Sequence, residues 1–332
     1  MESNVPKVSI LIPTFNRANY LRMAVDSAIA QTYPNIEVLV LDDCSTDETV
    51  NLSEAYSNTA NVKFIRNENN IGFVKNWNKA VSLSSGEYIK IIGDDDILSA
   101  DCVAEQARIL DEHPDVGVVC CNCSIIDEGN RVKSANNLYR LFSRDTKENG
   151  REFIKNYLLG KRTVGWPGAI LFRRQDINKA GGFDPQAGCP ADIDMWCRIL
   201  QVKDFYYLDK MLAYCRLFSG NLSRKMETND FGYKDIMYFY SKTAPCVEHI
   251  LDDSTKRKLW STLITRILPF YSRAQPLNRT AIKRDIDRIA REHRIPLVRI
   301  RCMAYDCYQR LKRIWQQGPE RNVPPVESQP GQ

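Results

Sequence analysis

The sequence lacks any apolar run of the roughly 18 residues that a helix needs to cross a bilayer. Near its start stands VSILIPTFN, which is too short and too polar at its end to be the apolar core of a secretory signal. Its 11 cysteines are scattered, without the regular spacing of a disulfide framework. These absences argue against a membrane-spanning bundle and a disulfide-stapled secreted domain, and they predict a cytoplasmic protein with reduced thiols.

Sequence signatures of phosphate loops and of zinc sites are missing as well. Neither G-x-G-x-x-G nor G-x-x-x-x-G-K-[ST] occurs, so dinucleotide dehydrogenases and P-loop NTPases lose their main support. Cys120 and Cys123 stand in C-x-x-C spacing, but no second pair or nearby histidine completes a tetrahedral zinc site. We therefore expect both thiols to be small apolar side chains on a buried strand.

Short apolar runs alternate with helical patterns through the first hundred residues. The runs KVSILI, IEVLVLDD, NVKFI and EYIKII have the length and composition of buried strands. Between them, YLRMAVDSAIAQT and FVKNWNKAVSLS carry apolar residues at helical spacing, and Ser45 and Glu48 stand in capping-box spacing. Because such alternation gives a parallel sheet with crossover helices, the sequence predicts an α/β fold.

The later sequence changes character. VGVVCCNCSII, GAILFRR and the short FYYLD are predicted strands, and the stretch from LYRLF to Gly150 is a predicted loop. After about residue 225 only helical patterns remain. We predict a catalytic domain over residues 1–222, a basic helical extension over 223–316 and a disordered tail over 317–332.

Carboxylates gather behind two of the predicted strands. Asp42 and Asp43 follow one strand, and Asp94, Asp95 and Asp96 follow another. Open α/β sheets bind ligands at the carboxyl ends of their strands. Two ionised carboxylates about 4 Å apart repel by roughly 4 kcal/mol at an effective dielectric near 20, and a divalent cation that also holds substrate phosphates would offset this. The alternative is a solvated acidic turn before the next helix.

A third acidic group lies in PADIDMWCRIL. Asp192 and Asp194 open a predicted helix two residues apart, so their side chains point in different directions. One carboxylate beside a bound donor could take the proton of an incoming hydroxyl, a role typically worth a factor of about 10²–10⁴. The alternative is ordinary negative charge at a helix start.

The ordered set of motifs from about residue 7 to residue 223 resembles the family-2 inverting glycosyltransferases of the GT-A fold. The motifs are VSILIPTFNRANYLRMAVDSAIAQTYPNIEVLVLDDCSTDETV, NNIGFVKNWNKA, SGEYIKIIGDDDIL, GGFDP and ADIDMW. The resemblance implies a mainly parallel mixed sheet flanked by helices, with a Rossmann-like nucleotide-binding half and a C-terminal helical extension. It also implies a UDP- or dTDP-sugar donor and a divalent metal, Mg²⁺ or Mn²⁺.

The resemblance further implies roles for individual residues. Pro13, Thr14 and Phe15 would border the nucleotide, and Asp43 would read the pyrimidine. In the aspartate triplet, Asp94 or the backbone would serve the ribose, and Asp95 and Asp96 would bind the metal. Asp192 would be the base.

Three positions depart from the family pattern. Gly93 stands at the first acidic position of the common D-x-D-D form, so the assignment within the triplet is open by one residue. Ala191 replaces the Glu that usually precedes the base, and Phe218 stands where His is frequent. Arg216, two residues before Phe218, could still pair with a phosphate.

The expected reaction is a metal-assisted single displacement onto a hydroxyl of a glycan or lipid-linked acceptor, in cell-surface polysaccharide synthesis. Two alternatives stay open: a nucleotide-sugar-binding protein that has lost catalysis, and a nucleotidyltransferase. The basic helical pattern over residues 296–316 could lie on an anionic membrane surface or pack on the catalytic domain. No recognised module supports nucleic-acid binding.

Overall fold

The structure is a computed structural model. It describes residues 5–134, 142–163, 166–217, 232–274 and 276–296, together with Ile300. The domain boundary near residue 222, Phe218, nearly all of the basic helical pattern and the C-terminal tail lie outside the described residues. The predictions made for them therefore stay predictions.

Within the described residues, ten strands form a single mixed sheet. They are β1 (Val8–Thr14), β2 (Ile36–Asp42), β3 (Val62–Arg66), β4 (Tyr88–Ile91), β5 (Ile97–Leu98), β6 (Val116–Ile126), β7 (Val132–Ser134), β8 (Thr146–Glu148), β9 (Ile170–Arg173) and β10 (Asp204–Arg216). The order across the sheet is β3-β2-β1-β4-β9-β6-β10-β5, with β7 beside β6 and β8 beside β10. The first four strands of that order are parallel, as are β6 and β10, whereas β9 runs antiparallel to both of its neighbours.

Helices cover the sheet and continue beyond it. The helices that the structure describes are α1 (Ala18–Ile29), α2 (Leu52–Ala55), α3 (Phe73–Leu83), α4 (Cys102–Glu112), α5 (Gly150–Leu158), α6 (Arg174–Ala180), α7 (Ala191–Leu200), α8 (Gly232–Thr243), α9 (Pro245–Glu248), α10 (Asp253–Arg273) and α11 (Pro276–Glu292). Strands β4 and β6 are buried along their whole length, as expected for strands covered on both faces. None of these helices is both long enough and apolar enough to span a membrane.

The predicted capping box at Ser45 and Glu48 is wrong. The hydroxyl of Ser45 donates to the carboxylate of Asp42, and Asp47 takes the cap position by accepting the N–H of Thr49 at 3.0 Å. The chain then forms a 3₁₀ turn over Glu48–Asn51 before the single turn of α2. Asp47 also accepts the N–H of Ala18 at 3.2 Å, so a contact with α1 favours Asp47 as the cap.

Two further predictions need correction. The short strand FYYLD is the start of the 13-residue β10, which continues past Asp209 and Lys210 because irregularities in its pairing with β6 absorb the polar residues. The predicted loop before Gly150 contains β8, which pairs with β10. By contrast, Cys120 and Cys123 are buried on β6 with free thiols, as predicted.

The C-terminal helices pack against the sheet-containing part of the chain through α5 and α7. Leu263, Ile264 and Ile267 of α10 are fully buried, and each such side chain contributes about 1.5–3 kcal/mol. The guanidinium of Arg266 lies 4.7 Å from the ring of Tyr157 on α5 and donates to that residue's carbonyl at 3.0 Å. The part of the predicted extension that the structure describes is thus helical and docked, and the choice between membrane and domain for residues 296–316 stays open.

Candidate active site

The predicted nucleotide and metal residues that follow β1, β2 and β4 meet at one edge of the sheet, whereas Asp192 and Asp194 lie apart from them in sequence, on α7. Thr14, the last residue of β1, pairs with Asp42, the last residue of β2. The N–H of Asp43 donates to the carbonyl of Thr14 at 2.9 Å. On the other side, β4 runs parallel to β1, so the residues that follow β4 emerge beside those that follow β1. The sheet therefore brings the predicted nucleotide and metal residues together, as expected from the strand order.

Phe15 lies at the mouth of this edge. Its side chain is 45% exposed, and its N–H points to a carboxylate oxygen of Asp94 at 3.4 Å. The next residue, Asn16, has a φ of 54° and accepts the N–H of Thr46 at 2.8 Å, so the loop after β1 is tied to the loop after β2. Pro13 is half-buried, and Thr14, the residue before Phe15, is buried. An exposed aromatic ring on a fixed loop suits contact with a flat ligand.

Asp43 is buried and hydrogen-bonded to the loop before α3. One of its carboxylate oxygens accepts the N–H of Ile71 at 2.9 Å and the side-chain amide of Asn67 at 2.8 Å. The other accepts the N–H of Gly72 at 2.9 Å, and Gly72 has a φ of 85° that favours glycine. The sequence did not reveal this anchoring contact. A carboxylate has about four acceptor sites, so Asp43 retains capacity for a further donor.

Residues 93–96, the aspartate turn, follow β4. The N–H of Asp96 donates to the carbonyl of Gly93 at 3.2 Å and closes the turn. A Cβ atom on Gly93 would lie 2.8 Å from Oδ2 of Asp96 and 3.0 Å from Oδ1 of Asp95. The two carboxylates therefore occupy the space that a side chain at position 93 would need.

The carboxylates of the aspartate turn are crowded. Burial and the charge of Asp95 raise the pKa of Asp94 to about 7, although Arg17 lies 3.8 Å away. Burial and the charge of Asp95 also hold the pKa of Asp96 well above its usual range. The repulsion inferred from the sequence is therefore present in the fold.

Arg216, at the end of β10, binds the aspartate turn through hydrogen bonds. Its guanidinium donates to the carbonyl of Asp95 at 2.9 Å, to the carbonyl of Asp127 at 2.6 Å and to the side chain of Asn130 at 2.7 Å. Its backbone N–H donates to Asp96 at 2.9 Å. The side chain is fully buried, so the expectation that it pairs with a phosphate is not met. Acceptors from two separate turns converge there, and no local sequence signal indicates that.

The donor set of the aspartate turn fits a divalent cation that also binds substrate. Across the ranges that the structure describes, no three His, Cys, Asp or Glu side chains converge as an all-protein metal site. The oxygens of Asp95 and Asp96 nevertheless converge over Gly93. Mg²⁺ is commonly held by one or two carboxylates with the remaining positions open to phosphates and water.

Asp192 and Asp194 have different environments in α7. Asp192 is half-buried in the first turn, and burial raises its pKa to about 6. Asp194 is 3% exposed and forms an ion pair with Arg198 at 2.8 Å. A carboxylate with a pKa near neutrality is suited to general-base chemistry, whereas Asp194 is committed to Arg198. The structure thus separates the two residues as their spacing predicted.

Comparison with known proteins places this chain in a family. Residues 9–181, just over half of the chain, match the model of Glycosyl transferase family 2. The chain belongs to that family, and the protein is a glycosyltransferase. The resemblance found from the sequence motifs is confirmed.

Relatives by sequence agree with this assignment. An uncharacterised glycosyltransferase of Rickettsia prowazekii is 28% identical over 255 residues, which cover 76% of this chain and 77% of that protein. The chondroitin synthase of Escherichia coli is 32% identical over 221 residues, 65% of this chain but 29% of the synthase. The matched part of the chain therefore corresponds to less than a third of that synthase.

A solved structure confirms the fold. The crystal structure of S. aureus TarS 1-349 in complex with UDP-GlcNAc superposes with a TM-score of 0.62 at 19% identity, covering 94% of this chain and 92% of that one. The predicted GT-A fold, with a mixed sheet flanked by helices and a helical C-terminal part, is confirmed.

Proposed function

We propose that the protein transfers a sugar from a UDP- or dTDP-sugar to a hydroxyl of a glycan or lipid-linked acceptor, with inversion at the anomeric carbon. The observation that carries the proposal is the aspartate turn, whose carboxylates crowd beside the exposed Phe15 at the carboxyl edge of the sheet. TarS was crystallised with UDP-GlcNAc, and one relative is a chondroitin synthase, so UDP-sugars are the first donors to test. Polysaccharide synthesis is the process that these relatives suggest.

The donor would lie across the edge formed by β1, β2 and β4. Pro13, Thr14 and Phe15 would border the nucleotide, with the ring of Phe15 against the base. Asp43 would accept a hydrogen bond from the pyrimidine with its remaining acceptor capacity. Asp94, which already approaches the N–H of Phe15, would bind the ribose.

Glycosyltransferases of family 2 generally use a divalent metal, and Asp95 and Asp96 would hold it here. A bound cation would supply positive charge to the diphosphate. The chain contributes the placement of the two carboxylates, because Gly93 leaves them room and the backbone N–H of Arg216 fixes Asp96.

Asp192 would act as the base of a single displacement. Its carboxylate takes the proton of the acceptor hydroxyl, the oxygen forms a bond to the anomeric carbon, and the bond from that carbon to the diphosphate oxygen breaks. The nucleoside diphosphate leaves with the bonding electrons and needs no acid to protonate it. Burial favours this role because it brings the pKa of Asp192 to about 6, close to the operating pH.

The test is donor binding followed by turnover. We expect UDP-sugars with Mn²⁺ to raise the melting temperature and to be consumed when a glycan acceptor is added. Asp192→Asn should bind the donor but lose at least a hundredfold in kcat, whereas Asp253→Asn, an exposed change of the same kind on α10, should behave as wild type.

Two other outcomes would replace the proposal. Donor binding without turnover across a panel of glycan and lipid-linked acceptors would favour a sugar-nucleotide-binding protein. Tighter binding of nucleoside triphosphates than of nucleotide sugars would favour a nucleotidyltransferase. Membrane contact through residues 296–316 also stays a proposal, and vesicle sedimentation of the full chain tests it.

A further inference from the structure

We infer that helix α8 of the C-terminal part is a positioning element of the active site. In this inference, Asp235 and Tyr238 of α8 hold the entry loop, residues 184–190, and the entry loop sets the start of α7 and therefore the place of Asp192. The inference rests on the proposed role of Asp192 as the base. It gives the C-terminal helices a part in catalysis beyond packing.

Tyr238 holds the N-terminal half of the entry loop. Its hydroxyl donates to Oδ2 of Asp184 at 2.7 Å. The other oxygen of Asp184 accepts the N–H of Gln186 at 2.9 Å and caps the short 3₁₀ turn Pro185–Ala187. One carboxylate therefore joins α8 to the internal structure of the loop.

Asp235 holds the C-terminal half of the entry loop. Its Oδ2 accepts the backbone N–H of Cys189 at 3.1 Å. A Cβ atom on Gly188 would overlap the carboxylate of Asp235, and Gly188 also has a φ of 61°, which favours glycine. The close approach of α8 to the loop thus depends on a glycine at this position.

The entry loop leads directly into α7. The carbonyl of Gly188 accepts the N–H of Ala191 at 3.1 Å, and the carbonyl of Pro190 accepts the N–H of Asp194 at 2.8 Å. Pro190 is the N-cap residue and supplies no side-chain cap. The first turn of α7, which carries Asp192, therefore takes its position from the backbone of the entry loop.

Loss of the Asp235 contact should move Asp192 without unfolding the extension. Phe239 and Tyr240 of α8 are buried, so the helix stays docked when Asp235 is shortened. A misplacement of a catalytic group by about 1 Å can cost about a hundredfold in rate. Donor binding should be little affected, because the proposed donor residues lie at the ends of β1, β2 and β4 or shortly after them rather than on α7.

The experiment compares Asp235→Ala with Asp235→Asn in the full chain. We expect Ala to lower kcat by about tenfold to a hundredfold while the dissociation constant of the UDP-sugar stays within about twofold of wild type. Asn keeps an oxygen that can accept the N–H of Cys189, so it should recover most of the rate. Asp253→Asn is the matched control for loss of one negative charge and should leave both quantities unchanged.

A second variant and a second measurement keep the inference separate from the proposed function. Tyr238→Phe should lower kcat several-fold, and hydrogen exchange of the peptide containing residues 184–192 should become faster in Asp235→Ala and Tyr238→Phe. Absence of sugar transfer by wild type would refute the proposed function while exchange still reports on the loop. Unchanged kcat and unchanged exchange in both variants would overturn the inference, as would equal damage by Asn and Ala at position 235.

Discussion

Replacing Gly93 with alanine probes where the carboxylates of the aspartate turn lie. The backbone of Gly93 does not have a positive φ, so alanine brings no backbone strain. Its new methyl group would stand 2.8 Å from Oδ2 of Asp96 and 3.0 Å from Oδ1 of Asp95. Gly168 faces the same Asp96 oxygen from another side, where a Cβ atom would lie at an ordinary 3.7 Å. The two substitutions add the same group at different distances from one carboxylate.

The expected magnitude follows from these distances. Carbon-to-oxygen contacts normally begin at about 3.3 Å, so the Asp96 carboxylate would have to retreat by about half an ångström. It is 5% exposed and bonded to the N–H of Arg216 at 2.9 Å, which restricts that movement. Overpacking costs about 1–3 kcal/mol, and the lower entropy of the unfolded chain returns about 0.4–1 kcal/mol. We expect a net loss of about 1 kcal/mol in the free energy of unfolding.

The larger effect should be on function. Displaced carboxylates would hold the proposed cation and diphosphate poorly, so donor affinity should fall by at least tenfold, which is about 1.4 kcal/mol. Isothermal titration with UDP and Mn²⁺ measures this, and urea unfolding measures stability. Gly168→Ala should stay within about twofold of wild type in affinity. A folded Gly93→Ala protein with wild-type donor affinity would refute the placement of the two carboxylates against the donor.

Three further predictions concern single side chains. Burial raises the pKa of Asp192 from 3.8 to about 6, so its charge destabilises the fold above that pH, and urea unfolding at pH 8 should show Asp192→Asn to be about 1–3 kcal/mol more stable than wild type. Sugar transfer by wild type should fall as the pH drops through about 6, and a flat pH profile would exclude Asp192 as the base. Although burial opposes it, hydrogen bonds from Ser9 and Ser85 lower the pKa of Glu37 from 4.5 to about 2. Glu37→Gln should therefore lower the free energy of unfolding by up to about 3 kcal/mol at pH 7, and by progressively less as the pH falls from about 4.5 to 2. An equal loss at pH 7 and pH 3 would contradict this. In Arg216→Lys the single ammonium cannot reach the same three acceptors, so we expect the free energy of unfolding to fall by about 1–3 kcal/mol and donor binding to weaken in calorimetry. Wild-type values for both would show that the guanidinium is dispensable.

The parts of the fold that the sequence predicted well are those in which local pattern and burial agree. β1, β2 and β4 are short, mostly apolar runs that lead into polar residues, and the residues after them meet at one edge of the sheet because parallel strands share a direction. The capping box failed for the opposite reason. Ser45 and Asp47 are both good caps, and the choice between them depends on the contact of Asp47 with Ala18 in another element.

The supporting contacts of the site could not be predicted, because each joins residues far apart in sequence. Arg216 stands at the end of a strand, where ligand-binding residues often lie, yet the turn at Asp127 and the aspartate turn bury it. Asp235 lies 46 residues after Cys189, and nothing in its own neighbourhood indicates that it reaches a backbone N–H there. Such contacts depend on how elements pack, which local periodicity does not encode.

The structure also separates the strand-end carboxylates by what their oxygens already bind. Asp42 accepts the N–H of Ser45 at 3.0 Å, and both oxygens of Asp43 accept backbone N–H groups, so these two residues chiefly order the loops that follow β2 and β3. Asp96 also accepts the N–H of Arg216 with Oδ1, but its Oδ2 and Oδ1 of Asp95 both lie over Gly93, where the two charges repel. A cation alone would relieve that repulsion, but it would lack the phosphate ligands that complete its coordination, and a diphosphate alone would add negative charge. Cation and nucleotide should therefore bind cooperatively, each tightening the other by the same factor.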